Sequence, residues 1–181
     1  MASAPALLEQ AAKMTGTTAQ ELEALVDEAN AIHESGHAVI TLLLGITLHY
    51  VWLNDPSGGE EFGECARLDA PDYESEILIE FAGVGTELIH RKMGRRWSFL
   101  FASLGRGDWR EAQWRLERMG GNRKALVRVA KSRVTQLLED NWSWVLAVSQ
   151  RLRKKRYLSG AEVAALSAEL ATNVLPNTTS G

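Results

Sequence analysis

Residues 33–37 read His-Glu-Ser-Gly-His, and this pentapeptide constrains the chain more than any other feature. Residues four apart on an α-helix lie on the same face, so His33 and His37 can both reach one metal ion. Glu34 then stands beside the position of a metal-bound water, where a carboxylate can act as general base. The pattern predicts a hydrolytic zinc site. The alternative is a core-facing pair of histidines beside a solvated glutamate.

The flanking sequence predicts a helix whose buried side carries these histidines. Thr18 and Glu21 have the spacing of a capping box, which places the helix start near residue 19. Gly45 provides a stop. Residues at spacings of three and four form one inward stripe with His33: Leu22, Val26, Ala29, Gly36, Ile40 and Leu43. The stripe turns His33 towards the interior. A lone core histidine would fit this stripe too, but a second histidine one turn later with a glutamate between them fits a metal better.

Composition indicates one soluble globular domain. The chain has 181 residues, of which 45% are hydrophobic and 24% are charged. Cys65 is the only cysteine, so a disulfide framework is excluded and a reducing, cytoplasmic compartment is expected. No apolar run has the length of a membrane span. We expect an N-terminal extension over residues 1–17, the domain over 18–172 and a flexible tail over 173–181.

Charge is unevenly distributed along the chain, although its net value is only −3. Residues 1–66 contain ten acidic residues, and Lys13 is their only lysine or arginine. Because the pentapeptide lies in this acidic part, phosphate-rich ligands are not expected there. Short basic clusters at 91–96 and 151–156 are typical of solvated helix ends, so no nucleic-acid partner is predicted.

The remaining pattern predicts a mainly helical fold with a small β-hairpin. Segments 46–53 and 62–68 have strand composition and are separated by turn residues. We expect a loop over 92–107, and helices over 5–13, 72–90, 108–119, 122–155 and 160–170. In the helix over 72–90, four apolar residues are expected to face inward: Ile77, Leu78, Phe81 and Leu88.

A catalytic zinc site needs a third protein ligand. His49 lies in a strand candidate, where a half-buried side chain is expected. His90 lies at a predicted helix end beside basic residues, where a solvated side chain is expected. Asp108 follows a glycine-containing loop and opens a predicted helix. That position suits a ligand and equally suits a helix N-cap, and the residues alone leave both open.

Several segments together resemble the protease domain of the FtsH family of ATP-dependent zinc metallopeptidases. The pentapeptide is followed by Ala-Val-Ile, as in that family. Ala82-Gly83 with Glu87 is similar to its Gly-Gly/Ala-Gly-x-x-x-Glu helix. Residues 103–109 with Ala112 are similar to its Thr-Gly-Ala-x-x-Asp-Leu-x-x-Ala segment, and residues 158–163 to the motif before its last helix. The resemblance covers about residues 25–170.

This resemblance implies an FtsH-protease-like helical zinc metallopeptidase domain. It implies Zn²⁺ held by His33, His37 and Asp108, with Glu87 as a partner of a zinc-bound histidine. Each histidine is expected to donate its second ring N–H to a carboxylate or carbonyl. The chain departs from the family because no Walker A sequence occurs in it. A separate ATPase would then have to unfold stable substrates, and a homo-oligomer is a second partner to consider.

Together these features predict a zinc-dependent endopeptidase acting on peptides or unfolded proteins. Glu34 would take a proton from the attacking water and give it to the leaving amine. The strand over 62–68 is expected to hold an extended substrate along its edge, through Phe62, Gly63, Glu64 and Cys65. A plain hairpin that only covers the helix is the alternative. The runner-up function is a zinc-binding or metal-free interaction module that regulates a partner protease without turnover.

Overall fold

The computed structural model describes residues 9, 12–13, 16–54, 63–92 and 106–174. Six helices have defined bounds: α1 Ala19–Leu43, α2 Tyr73–Lys92, α3 Arg106–Met119, α4 Arg123–Asp140, α5 Trp142–Lys155 and α6 Gly160–Val174. The strands are β1 Leu48–Leu53, β2 Gly63–Arg67 and β3 Tyr157–Ser159. None of the described helices combines the length and apolarity needed to cross a bilayer. The predicted class, mainly helical with a small sheet, is confirmed.

Helix α1 is the central helix, and it begins and ends where the sequence predicts. The Thr18 hydroxyl accepts from the main-chain N–H of Glu21, whose carboxylate accepts from the N–H of Thr18. Gly45 has a φ of +73°, which suits a glycine after a helix end. Helices α2 and α5 and the sheet pack around α1, so residues 29–41 are buried on all sides except at Glu34. The predicted single stripe was therefore too narrow, and Leu43 at its end is 37% exposed.

The predicted hairpin is part of a three-stranded antiparallel sheet with the order β2-β1-β3. Strands β1 and β2 lie within the two predicted strand segments. Strand β3 was missed, because three residues carry too little alternation to be recognised. Among the described strands β2 pairs on one side only, so it forms an edge of the sheet.

Helices α4 and α5 replace the single helix predicted over 122–155. They are separated by Asn141, whose φ of −116° and ψ of 21° leave the helical region. The Asn141 side-chain NH₂ donates to the carbonyl of Leu137, so the side chain competes with the helical backbone. The apolar spacing continues across the break with Leu138 and Val145 both fully buried, and periodicity therefore did not reveal it.

The other helix predictions are wrong in detail. Leu88 is 49% exposed, although it was expected to face inward. Helix α3 begins at Arg106, two residues before the predicted start, and α6 runs to Val174, into the predicted tail. Most of the predicted loop over 92–107 and most of the predicted helix over 5–13 lie outside the described residues, as does Phe62.

The basic cluster at 151–156 is not simply a set of solvated side chains, as had been expected. Arg153 lies 3.4 Å from both Asp27 and Glu28 on α1, and Arg156 forms an ion pair with Asp27. These contacts join the end of α5 to α1, less than two turns before His33. The cluster thus helps to fix the central helix within the fold.

Candidate metal centre

Three side chains from two helices converge on one point in the fold. His33 and His37 lie one turn apart on α1, and Asp108 lies in the first turn of α3. Asp108 Oδ2 is 2.9 Å from His33 Nε2 and 3.4 Å from His37 Nε2. The two Nε2 atoms are 3.0 Å apart. The fold therefore brings together the three residues that the sequence proposed as metal ligands, and this group could hold a metal ion.

The position of Asp108 does not support the helix-cap alternative. Helix α3 begins at Arg106, so Asp108 lies inside the first turn and its carboxylate contacts both imidazoles. The next residue, Trp109, stacks on Phe81 of α2 with the ring centroids 5.5 Å apart. Lys131 of α4 lies over the Trp109 ring, 5.0 Å from its centroid. This stack anchors the start of α3 on its neighbours and so fixes the Asp108 carboxylate.

The second nitrogen of each imidazole has an acceptor of its own. His33 Nδ1 donates to Glu87 Oε1 at 2.5 Å, and His37 Nδ1 donates to the carbonyl oxygen of Ile79 at 2.8 Å. Both partners belong to α2. Glu87 is 3% exposed, so its contact with His33 is shielded from water. These hydrogen bonds place the proton of a neutral ring on Nδ1 and leave a lone pair on Nε2.

With the Nδ1 protons engaged in this way, three electron-pair donors face one another at the centre. They are the two neutral Nε2 atoms and the buried Asp108 Oδ2, which accepts no hydrogen bond while both Nε2 atoms are unprotonated. Three such atoms at about 3 Å repel unless a cation lies between them. The arrangement therefore requires either protons on the rings or a metal ion.

The separations fit a zinc ion. Zinc binds nitrogen and oxygen at about 2.0–2.1 Å in tetrahedral geometry, which puts neighbouring ligand atoms about 3.3 Å apart. The three observed distances are 2.9, 3.0 and 3.4 Å. Two histidines and one carboxylate leave the fourth position open, as in catalytic zinc sites. The residues therefore match this metal in donor type, in number and in spacing.

The electrostatics of the pocket also favour positive charge at this point. Burial lowers the pKa of His33, but hydrogen bonds to Asp108 and Glu87 outweigh it and raise that pKa to about 10. The pKa of His37 is raised in the same way, against burial, by its hydrogen bond to Asp108. Burial acts to raise the pKa of Asp108, yet the two imidazoles hold it well below its usual range. Protons and a metal cation would thus compete for the same place.

Helix α2 approaches the imidazoles closely because a glycine faces them. A Cβ at Gly83 would overlap the His33 ring and lie 2.6 Å from His37 Nε2. On the opposite helix, a Cβ at Gly36 would lie 2.7–2.8 Å from Thr86 and from the carbonyl of Ala82. Only glycine leaves room for this crossing and for the two rings between the helices.

A polar cleft opens beside the three residues. Its described lining consists of Glu34, His37, Gly63, Glu64, Cys65, Arg67, Ile79, Glu80 and Asp108. A Cβ on Gly63 would lie 2.9 Å from Glu34 Cγ, so β2 runs directly past this glutamate. Burial raises the pKa of the Glu34 carboxyl, and the nearby histidines oppose that rise. Glu34 and the edge strand therefore share one wall of the cleft with the candidate ligands.

The remaining predicted or rejected site residues lie as follows. His49 is exposed on β1, where a half-buried side chain had been expected. His90 is 6% exposed and lies 3.4 Å from Glu28, so the expectation of a solvated side chain was wrong. Neither histidine belongs to the group of three residues that could hold a metal ion. Phe62, predicted with the edge strand, lies outside the described residues.

Sequence reasoning did not find three further residues of the cleft, Arg67, Ile79 and Glu80. A signal for Glu80 was present, because it precedes Gly83 and Glu87 by three and seven residues on α2. That spacing puts all three on one helical face. Ile79 contributes a main-chain carbonyl, for which side-chain identity gives no signal.

Comparison with protein-family models and with curated proteins finds no match for this chain.

We expect Gly83→Ala to abolish metal binding while the fold persists. The added methyl group must displace at least one imidazole, because the opposing atoms belong to rings already fixed by hydrogen bonds. A zinc titration monitored by calorimetry measures the loss of metal binding. Gly85→Ala is the matched control, since its Cβ meets methyl groups of the core residues Leu138 and Val134 and no candidate ligand. The control should lose about 1–3 kcal/mol of stability and keep its zinc. Normal zinc affinity in Gly83→Ala would contradict this account of the centre.

Proposed function

We propose that the protein is a zinc-dependent endopeptidase that hydrolyses peptides or unfolded proteins. The observation that carries the proposal is the convergence of His33, His37 and Asp108 beside Glu34 in an open cleft. When bound there, zinc lowers the pKa of a water towards neutrality and polarises a carbonyl. The donor set is also compatible with iron, but the adjacent glutamate favours hydrolysis.

Glu34 is the proposed general base. Its carboxylate is a cleft residue next to both imidazoles, and no hydrogen bond to another described residue occupies it. Glu34 can therefore accept a proton from the attacking water and return it to the leaving amine. Its raised pKa helps the second step, because a carboxyl that holds its proton more firmly is a usable acid. His33 and His37 keep their orientation throughout, since their Nδ1–H groups stay hydrogen-bonded to Glu87 Oε1 and to the carbonyl of Ile79.

The edge strand β2 is the proposed binding surface for the substrate backbone. The N–H of Leu53 donates to the carbonyl of Arg156, which lies on the β3 side of β1. The main-chain groups of the adjacent Trp52 therefore face β2, where Trp52 pairs with Glu64. By alternation, the main-chain groups of every second residue of β2 point away from β1: Gly63, Cys65 and Arg67. The hydrogen bond from the N–H of Leu68 to Thr47 agrees with this register. An extended peptide can add to this edge within the cleft.

We further propose that the domain is related to the FtsH protease family. Supporting this, the fold brings together residues from three separate resembling segments, namely the pentapeptide, Gly83 with Glu87, and Asp108. A separate ATPase would then supply unfolding. The alternative, a zinc-binding or metal-free interaction module that regulates a partner protease without turnover, differs in one measurable property, because it cleaves no peptide.

Glu34→Gln should retain zinc and fold yet lose peptide hydrolysis by about 10²–10⁴-fold, because an amide cannot accept the proton of the water. Cleavage of casein or of a quenched fluorescent peptide measures activity, and elemental analysis measures zinc. Unchanged activity would remove Glu34 from the mechanism. Zinc-loaded wild-type protein that cleaves nothing would favour the interaction module, and iron in place of zinc would overturn the proposed chemistry.

Asp108→Ala should reduce zinc affinity at least about 10–100-fold, since removing even a residue that only hydrogen-bonds a metal ligand costs that much. Glu87→Ala should cost less, because it removes only the acceptor for His33. Competition with a chromogenic chelator measures both. Glu111→Ala, one turn further along α3 with a carboxylate 58% exposed, is the matched control and should bind zinc normally. The ligand assignment is reversed if Glu87→Ala loses zinc and Asp108→Ala does not.

Cys65→Pro should reduce kcat/KM for peptides about tenfold, because proline removes a main-chain donor from the free edge. Zinc content should be unchanged, and circular dichroism checks the fold. Cys65→Ala keeps the N–H and loses only the thiol, so it should cleave normally. If both variants lose activity equally, the side chain of Cys65 matters and the edge model fails.

A further inference from the structure

Glu80 is a largely buried carboxylate in the cleft wall to which no described residue donates a hydrogen bond. It belongs to α2, next to the residue whose carbonyl orients His37, and its side chain is only 13% exposed. The nearest cationic nitrogens are Arg115 Nη1 at 3.8 Å and Arg67 Nη2 at 3.9 Å. Both are beyond hydrogen-bond distance, and no described residue donates to Glu80. Glu80 therefore has two distant ion-pair partners but none of the close donors that hydrogen-bond most buried carboxylates.

The two neighbouring guanidinium groups are held by other acceptors. Arg67 donates to both carboxylate oxygens of Glu76, at 3.0 and 2.6 Å, and to the carbonyl of Leu68. Arg115 donates to Glu111 at 3.1 Å and also lies 3.5 Å from Glu76. Because a bidentate arginine–carboxylate pair is rigid, Arg67 cannot turn fully towards Glu80. Nor is Arg67 free to bind an anionic group of a ligand.

The described lining of the cleft is therefore dominated by negative charge. Its carboxylates are Glu34, Glu64, Glu80 and Asp108, and its one arginine or lysine is Arg67, which is paired with Glu76. The roles of these carboxylates differ. Asp108 contacts the imidazoles, Glu34 stands beside them, and Glu64 accepts from Trp52 on the outer face of the sheet. Glu80 is left facing the path along β2 at its Arg67 end.

We propose that Glu80 determines specificity by binding a lysine or arginine side chain of the peptide substrate. The cation lies on the part of the peptide that follows the edge from Gly63 towards Arg67, a span of about 13 Å at 3.3 Å per residue. An ammonium or guanidinium group of the substrate supplies the close hydrogen-bond donor that no described residue gives Glu80. This inference rests on the proposed peptidase function and names its substrate class, peptides with a basic residue near the scissile bond.

Binding to a non-cleaving variant tests the inference separately from catalysis. Zinc-loaded Glu34→Gln protein is titrated with fluorescent peptides that differ at one residue, which is lysine, norleucine or glutamate. Norleucine matches lysine in length and lacks the ammonium group. Fluorescence anisotropy should show that the lysine peptide binds at least about tenfold more tightly than the norleucine peptide. Moving the variable residue one position at a time along the peptide locates the subsite.

When Glu80→Gln is added to the Glu34→Gln variant, the preference for lysine should fall below about twofold in the same titration. Adding Glu80→Lys instead should shift the preference to glutamate. Glu111→Gln is the control, because it removes an exposed carboxylate near Arg115 and should keep the preference. If Glu80→Gln weakens all three peptides equally, Glu80 is only structural and the inference is overturned. A glutamate preference in the parent variant would overturn it too.

Cleavage by the wild-type protein separates the two proposals. Both proposals are supported if the wild-type protein cleaves at a fixed distance from lysine, and if Glu80→Gln loses this preference but still cuts the norleucine peptides. Cleavage without preference for basic residues, together with equal binding of the three peptides, overturns the role of Glu80 and leaves the peptidase in place. Lysine-selective binding without any cleavage supports Glu80 as a binding determinant and overturns the peptidase.

Discussion

The mutual repulsion of three electron-pair donors is the constraint on which the rest of the structure depends. His33 and His37 point their Nε2 atoms at each other and at Asp108 Oδ2, at separations near 3 Å. Such a group is stable only with protons on the rings or a metal ion between the three atoms, and the surrounding chain prevents it from relaxing. Glu87 and the carbonyl of Ile79 fix the outer nitrogens of the rings. The close approach of α2 leaves the imidazoles no alternative orientation.

The surrounding helices place the three candidate ligands and Glu34 next to the edge strand β2. Helix α1 supplies the imidazoles and Glu34, α2 orients the rings, and α3 brings the carboxylate. Strand β2 lies along the same cleft with its outer main-chain groups unpaired by any described strand. The pair formed by Arg67 and Glu76 joins the edge strand to α2, and Arg115 joins α2 to α3. One ion-pair network thus spans the elements that would hold substrate and metal.

Local sequence patterns predicted the features that depend on nearby residues, such as helix starts. They failed where contacts between distant parts of the chain decide the surroundings of a side chain. The capping box gave the start of α1, and the spacing of His33 and His37 gave their shared face. Asp108 remained ambiguous by its own sequence, since a helix start suits a cap as well as a ligand. His90 was misjudged, because its basic neighbours gave no sign that Glu28 would lie against it. Asn141 broke a continuous apolar pattern through a side-chain hydrogen bond that periodicity does not register.

The origin of the three donors in two distant parts of the chain has a consequence during synthesis. As the nascent polypeptide emerges, the two histidines of α1 appear well before Asp108, and a pair of imidazoles alone holds zinc weakly. The third donor arrives only when α3 docks on α2. For a peptidase, this order is protective, since an unfinished chain is itself an unfolded substrate. Under the proposed function, hydrolysis would begin only once the chain had folded and was no longer an unfolded substrate itself.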